Sequence, residues 1–125
     1  MENIPTKKLA AGDMERDNRK EKEMPKVLIV EDDPNTVQLV KFLLEKNNFG
    51  VLIAYDGVEA LRMTRKEKPD LILMDVIMPK MDGIETIEKL QEDENTQGIP
   101  IVILSALGQE MDVMKGLQAG AAGYI

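Results

Sequence analysis

Four stretches of this chain are apolar without interruption, and each is short: Val27-Leu28-Ile29-Val30, Val51-Leu52-Ile53-Ala54, Leu71-Ile72-Leu73-Met74 and Ile101-Val102-Ile103-Leu104. A strand with one wet face alternates. An unbroken run of this length suits a strand covered on both faces, as in a parallel sheet. Parallel neighbours cannot be joined by a tight turn, so each pair needs a crossover, usually a helix. The intervening segments supply these crossovers. Residues 34–47 carry Val37, Val40, Leu43 and Leu44 at helical spacing, with Asp33 placed as N-cap and Pro34 in the first turn. A second helix opens at Asp56-Gly57, uses Val58, Ala60, Leu61 and Met63, and closes before Pro69. A third begins near Gly83 with Ile84, Ile87 and Leu90; a fourth covers 109–118 with Met111, Met114 and Leu117. Residues 92–98 read as a solvated loop, and Tyr124-Ile125 as a last strand. The alternation predicts an α/β fold, a doubly wound open parallel sheet with right-handed crossovers.

Chemistry collects where the strands end. The third run stops abruptly at Asp75, and the first ends in Glu31-Asp32-Asp33. In open α/β sheets ligands bind at the carboxyl ends of the strands. A lone Asp there has a plain alternative, a cap for the next helix. If the two strands are neighbours, however, the carboxylates converge and raise one another's pKa unless a cation sits between them. Oxygen-only ligands favour Mg²⁺ over zinc. A metal-bound, solvent-facing Asp75 can then act as a phosphoryl acceptor. Strand four ends in Ser105, whose hydroxyl either donates to a phosphoryl oxygen or caps helix four.

Composition narrows the classes. The 125 residues contain no Cys, His or Trp, which excludes disulfides, thiolate metal sites and imidazole catalysis within the chain. No apolar run approaches a membrane span, and the polar N-terminus lacks a signal-peptide core, so a cytoplasmic setting is expected. Residues 1–25 hold six acids and six bases and read as a polar tail or linker; residues 26–125 hold 17 acids and 10 bases, and so carry the whole net charge of −7. An acidic body without a basic patch argues against direct binding of nucleic acid.

Residues 26–125 resemble the receiver domain of two-component response regulators. The matching pieces are Val30-Glu31-Asp32-Asp33-Pro34, Asp56-Gly57 with Glu59-Ala60-Leu61, the run from Pro69 to Asp75, Met78-Pro79-Lys80-Met81-Asp82-Gly83, Pro100 to Ala106, and Gly120-Ala121-Ala122-Gly123-Tyr124-Ile125. The resemblance implies a flavodoxin-like sheet in the order 2-1-3-4-5. It makes Asp75 the phosphoacceptor. Asp32 would be a direct Mg²⁺ ligand, Glu31 would act mainly through a metal-bound water, and the backbone carbonyl of Ile77 would be the peptide ligand. Ser105 would move toward the phosphoryl group, and Tyr124 would be the aromatic switch that turns inward with it. Asp33, one past the acidic pair, keeps its capping role.

One departure stands out. Receivers carry a Lys-Pro shortly after the switch aromatic and then a fifth helix, whereas this sequence stops at Ile125. Neither Lys80 nor Lys115 is an obvious replacement for that lysine. The fold is therefore expected with its fifth strand cut short and its fifth helix absent, as in a C-terminally truncated receiver. Phe42 and Leu43 on helix one would be exposed, and the short chain would be marginally stable or self-associating. Ala106 leaves the approach to the site open, while Ile77 and Leu107 are apolar at positions that border the attacking water in the family, which predicts a long-lived acyl phosphate.

The expected function is a phosphorylation-dependent signalling receiver. It takes a phosphoryl group onto Asp75 from a sensor histidine kinase or phosphotransfer protein, with Mg²⁺, and switches an interaction surface. It is not an enzyme in the ordinary sense, because it catalyses only its own phosphotransfer and slow dephosphorylation. Self-association through the helix-four face or a bare helix-one face is a further expectation. The alternative is a receiver-like interaction module that does not respond to phosphate. An Asp-nucleophile phosphatase is disfavoured because the position two beyond Asp75, where a second acid belongs, is Ile77. A nucleotide or flavin site is disfavoured because Glu-Asp-Asp-Pro follows strand one, where a glycine-rich loop would have to cradle phosphate.

Overall fold

The first apolar run becomes β1 (Lys26–Val30), with its last four residues fully buried. There follow α1 (Pro34–Lys46), β2 (Gly50–Ala54), α2 (Gly57–Glu67), β3 (Leu71–Asp75), α3 (Gly83–Glu92), β4 (Ile101–Leu104), α4 (Glu110–Ala119) and β5 (Gly123–Tyr124). The computed structural model describes residues 24–75, 83–104 and 108–125. Among them the five strands form one parallel sheet in the order β2-β1-β3-β4-β5, with four helices as crossovers. This is the doubly wound 2-1-3-4-5 arrangement that the alternation and the resemblance imply. None of the described helices is long and apolar enough to cross a membrane.

Pleating sorts the strand residues onto two faces, because successive side chains point to opposite sides. Leu28, Val30, Ile72, Met74, Ile101 and Ile103 join Ala60 and Leu61 of α2, Ile87 and Leu90 of α3, and Val113 of α4 in a single core. The alternate residues, Val27, Ile29 and Leu73, take the opposite face and are buried too. There α1 lies against β1 and β2 and contributes buried Val37. Burial on both faces is why β1 is apolar at every step from Val27 to Val30, and β3 from Leu71 to Met74.

The third stripe faces inward as read, with Ile87 and Leu90 buried and Ile84 packed against the core, but α1, α2 and α4 turn differently from theirs. Leu43 shares the helical spacing of Val37, Val40 and Leu44, but it is 49% exposed, beside Leu39 at 60% and Phe42 at 61%. α1 has apolar residues around more than half its circumference, so spacing alone left its inner face ambiguous. Exposure of Phe42 and Leu43 agrees with the second expectation for this helix. In α2 the buried set is Gly57, Ala60, Leu61 and Thr64, at i, i+3, i+4 and i+7, and Val58 faces out. In α4, Val113 and Gly116 are buried while Met111 and Met114 are exposed. The glycine hides the true inner face from a hydrophobicity count. The loop after α3 is also less solvated than expected, because Thr96 is buried and its hydroxyl donates to the Leu90 carbonyl at 2.7 Å.

Candidate functional site

Sheet register brings the first two site residues together. Ile29 pairs with Leu73 and Val30 with Met74, so the next step sets Glu31 beside Asp75. Alternation puts both on the α1 face of the sheet. The Glu31 N–H donates to the Ala54 carbonyl at 3.1 Å and so carries the β1–β2 ladder one residue past the strand. Asp32 follows in the turn toward α1. One carboxylate oxygen from each of Glu31, Asp32 and Asp75 lies within 4.8 Å of the other two. Glu31 is buried, Asp75 half-buried and Asp32 exposed, so the cluster grades from interior to solvent.

Such crowding has an electrostatic consequence. Burial pushes the Glu31 carboxyl from its ordinary 4.5 up to about 7; the Asp33 N–H opposes the rise, and the nearby Asp75 and Asp32 add to it. The group is a buried acid that ionises near neutrality unless a cation joins it.

Asp33 stands apart from the three, as expected of a cap. Its Oδ1 accepts from the Asn35 N–H at 3.3 Å and its Oδ2 from the Thr36 hydroxyl at 2.7 Å. These bonds hold its carboxyl below the usual carboxylate range, the Thr36 hydroxyl contributing most. Pro34 occupies the first turn of α1, where its missing N–H costs no hydrogen bond.

A cleft of about 390 Å³ opens at this edge. Glu31, Asp33 and Asp75 meet Thr36 and Val40 of α1 on one side, and Leu104 and Gln109 on the other. Leu104 is the register partner of Asp75. Thr36, Val40, Leu104 and Gln109 were not picked out in the sequence as cleft residues. Thr36 and Val40 had a readable signal, being one and two turns along α1 from its cap. Tyr124 lies on β5, two strands from Asp75, and is 58% exposed. Lys115 is exposed on α4. Ile77, Lys80, Ser105, Ala106 and Leu107 lie outside the described residues.

The profile of the response regulator receiver domain matches residues 27–125, which is most of the chain. This chain belongs to the response regulator receiver family. Among the receivers it resembles, the DNA-binding dual master transcriptional regulator RpaA of Synechocystis is 39% identical over 102 residues. That match takes in 82% of this chain and 42% of the regulator, so the chain spans about two fifths of that relative's length. A crystal structure described as that of a response regulator from Chloroflexus aurantiacus superposes with a TM-score of 0.79 at 30% identity, covering 82% of this chain and 84% of the other. The receiver domain of the sensor histidine kinase PA1611 from Pseudomonas aeruginosa superposes at 0.75 with 31% identity, covering 81% and 83%. That second structure holds a magnesium ion coordinated in its active site cleft.

Proposed function

We propose that this receiver accepts a phosphoryl group on Asp75 from a phosphohistidine of a sensor histidine kinase or phosphotransfer protein. The observation that carries the reading is the convergence of Glu31, Asp32 and Asp75 at the carboxyl edge of adjacent parallel strands. All donors at the site are oxygens, and one is a buried carboxylate with a raised pKa. That donor set fits Mg²⁺, and the magnesium in the PA1611 receiver supports the assignment. Asp32, Asp75 and the Ile77 carbonyl would hold the ion directly, and Glu31 mainly through water. When bound, Mg²⁺ supplies positive charge that offsets the phosphoryl oxygens.

The half-buried Asp75 carboxylate is the nucleophile. Its oxygen forms the new O–P bond as the donor's N–P bond breaks, and the electron pair of that bond returns to the imidazole nitrogen. The transfer is loose and in line, so the chain contributes position and electrostatics more than covalent chemistry. Water later cleaves the acyl phosphate, restoring the carboxylate and releasing inorganic phosphate. The Ser105 hydroxyl and Tyr124 link the phosphoryl group to the α4–β5 side, where Met111 and Met114 stand exposed and a second copy would associate. A kinase that draws on ATP sets this work in the cytoplasm.

Incubation with a small acyl-phosphate donor and Mg²⁺ tests the reading. Wild type takes up one phosphoryl group; Asp75→Asn takes up none, and Asp32→Asn or chelation of Mg²⁺ slows uptake at least tenfold. Uptake that is equal in wild type and Asp75→Asn contradicts the assignment. No uptake by wild type leaves the phosphate-independent interaction module as the better reading.

A further inference from the structure

We propose that Asp33 is a positioning residue for the acidic site, acting through its backbone rather than through its charge. The inference rests on the metal reading above for its consequence, but not for its geometry. Asp33 is extended, at φ −84° and ψ 114°, where β1 gives way to α1. Its carbonyl accepts from the Val37 N–H at 3.0 Å, and both side-chain oxygens accept from the first turn of α1. Three acceptors on one residue are thus committed to the helix. The remaining polar group, its N–H, donates back to Glu31 Oε2 at 3.1 Å.

The direction of that bond gives it a function. Glu31 is buried beside the carboxyl groups of Asp32 and Asp75, and the Asp33 N–H is a backbone donor to it at this crowded point. The Asp33 N–H holds one oxygen and thereby the plane of the group. Because the cap fixes the Asp33 backbone, the α1 N-terminus acts as the rigid support on which Glu31 is oriented. Supporting bonds of this kind matter nearly as much to a metal site as the ligands do. Both Asp33 oxygens are engaged by α1, whereas Glu31, Asp32 and Asp75 each offer an oxygen to a shared point. Asp33 therefore supports the site without joining its ligand set.

The experiment uses the full 125-residue chain and two readouts. The first is the Mg²⁺ dissociation constant by calorimetry, and the second is hydrogen exchange at the residue-33 amide without metal. Asp33→Ala removes the cap; the expectation is a dissociation constant raised about tenfold and a loss of amide protection. Asp33→Asn keeps an acceptor for the Asn35 N–H while removing the charge, and is expected to stay within about threefold of wild type with protection intact. Thr36→Val, which removes one bond to the cap, should fall between them. Asp56→Ala is the control for a purely structural loss, since Asp56 caps α2 through the Glu59 N–H at 2.8 Å and does not line the cleft; its Mg²⁺ affinity should match wild type. Equal affinity and protection in wild type and Asp33→Ala would overturn the proposal. So would Asp33→Asn weakening Mg²⁺ as much as Asp33→Ala while protection persists, because that pattern belongs to charge. If wild type binds no Mg²⁺, the metal reading fails alone: exchange that quickens in Asp33→Ala but not in Asp33→Asn still upholds the positioning, and unchanged exchange still refutes it.

Discussion

Glu31 is 7% exposed and shares its surroundings with two other carboxyl groups. In the unfolded chain it ionises near 4.5; in the metal-free fold burial raises that to about 7. Between those values the folded state binds more protons than the unfolded one, so stability falls as pH rises. The contribution is complete below about 4.5 and lost as pH climbs through about 7. Metal-free urea melts across this window should therefore show a falling midpoint, and Glu31→Gln should flatten the fall. Mg²⁺ favours the ionised form, so its binding should release protons near neutral pH, seen as a buffer-dependent enthalpy. A Glu31→Gln profile as steep as wild type would place the titration elsewhere. At this scale much was legible beforehand. An apolar run that ends in a carboxylate marks Asp75, and a second such run marks Glu31 and Asp32. The depth of Glu31 was not legible, because it depends on the ladder continuing one residue past β1 to the Ala54 carbonyl.

At the scale of elements, the packing of α4 on β4 turns on a glycine. Gly116 faces Ile103 of β4, and a methyl group added there would run into the Ile103 Cδ1 and touch Ile84 at 3.6 Å. Ile103 is fully buried, so it has little room to yield. Gly116→Ala gains about 1 kcal/mol of helix propensity but over-packs the core at a cost of about 1–3 kcal/mol. The expected net effect in urea unfolding is a loss of up to about 2 kcal/mol. Ile103→Val alone should cost about 0.5–1.5 kcal/mol, and the double variant should be less destabilised than the two losses added together. Strict additivity would mean that α4 does not sit on β4 as described. Among the described residues, the existence and order of the elements could be read from the alternation of unbroken apolar runs with helical spacing. The faces of α1, α2 and α4 could not. In each, an exposed Leu, Phe, Val or Met competes with the buried set, and in α4 the closest approach is made by a glycine that no hydrophobic count detects. Thr96 was missed for a related reason: its burial comes from a bond to Leu90 across the end of α3, inside a segment whose composition reads as solvated.

For the whole molecule, strand order does what no single segment can. β1 and β3 are separated in sequence by α1, β2 and α2, yet they are neighbours in the sheet. Their shared register places Glu31 beside Asp75, and the odd-numbered side chains of both strands turn to the α1 face. The acidic site is therefore a property of the topology, and the cleft between α1 and β4 is its opening. The same topology leaves Leu39, Phe42 and Leu43 exposed on α1. On the proposed function, this topology presents Asp75 as the phosphoryl acceptor. The most direct measurement treats the chain with an acyl-phosphate donor and Mg²⁺, reduces it with borohydride and maps the peptides by mass spectrometry. An aspartyl phosphate is converted to homoserine by that reduction, so the modified position is recorded covalently. Homoserine is expected at position 75 alone, dependent on Mg²⁺ and formed at least tenfold more slowly in Asp32→Asn. Homoserine at position 32 or 33, or none at 75 from a folded and Mg²⁺-loaded chain, would contradict that assignment.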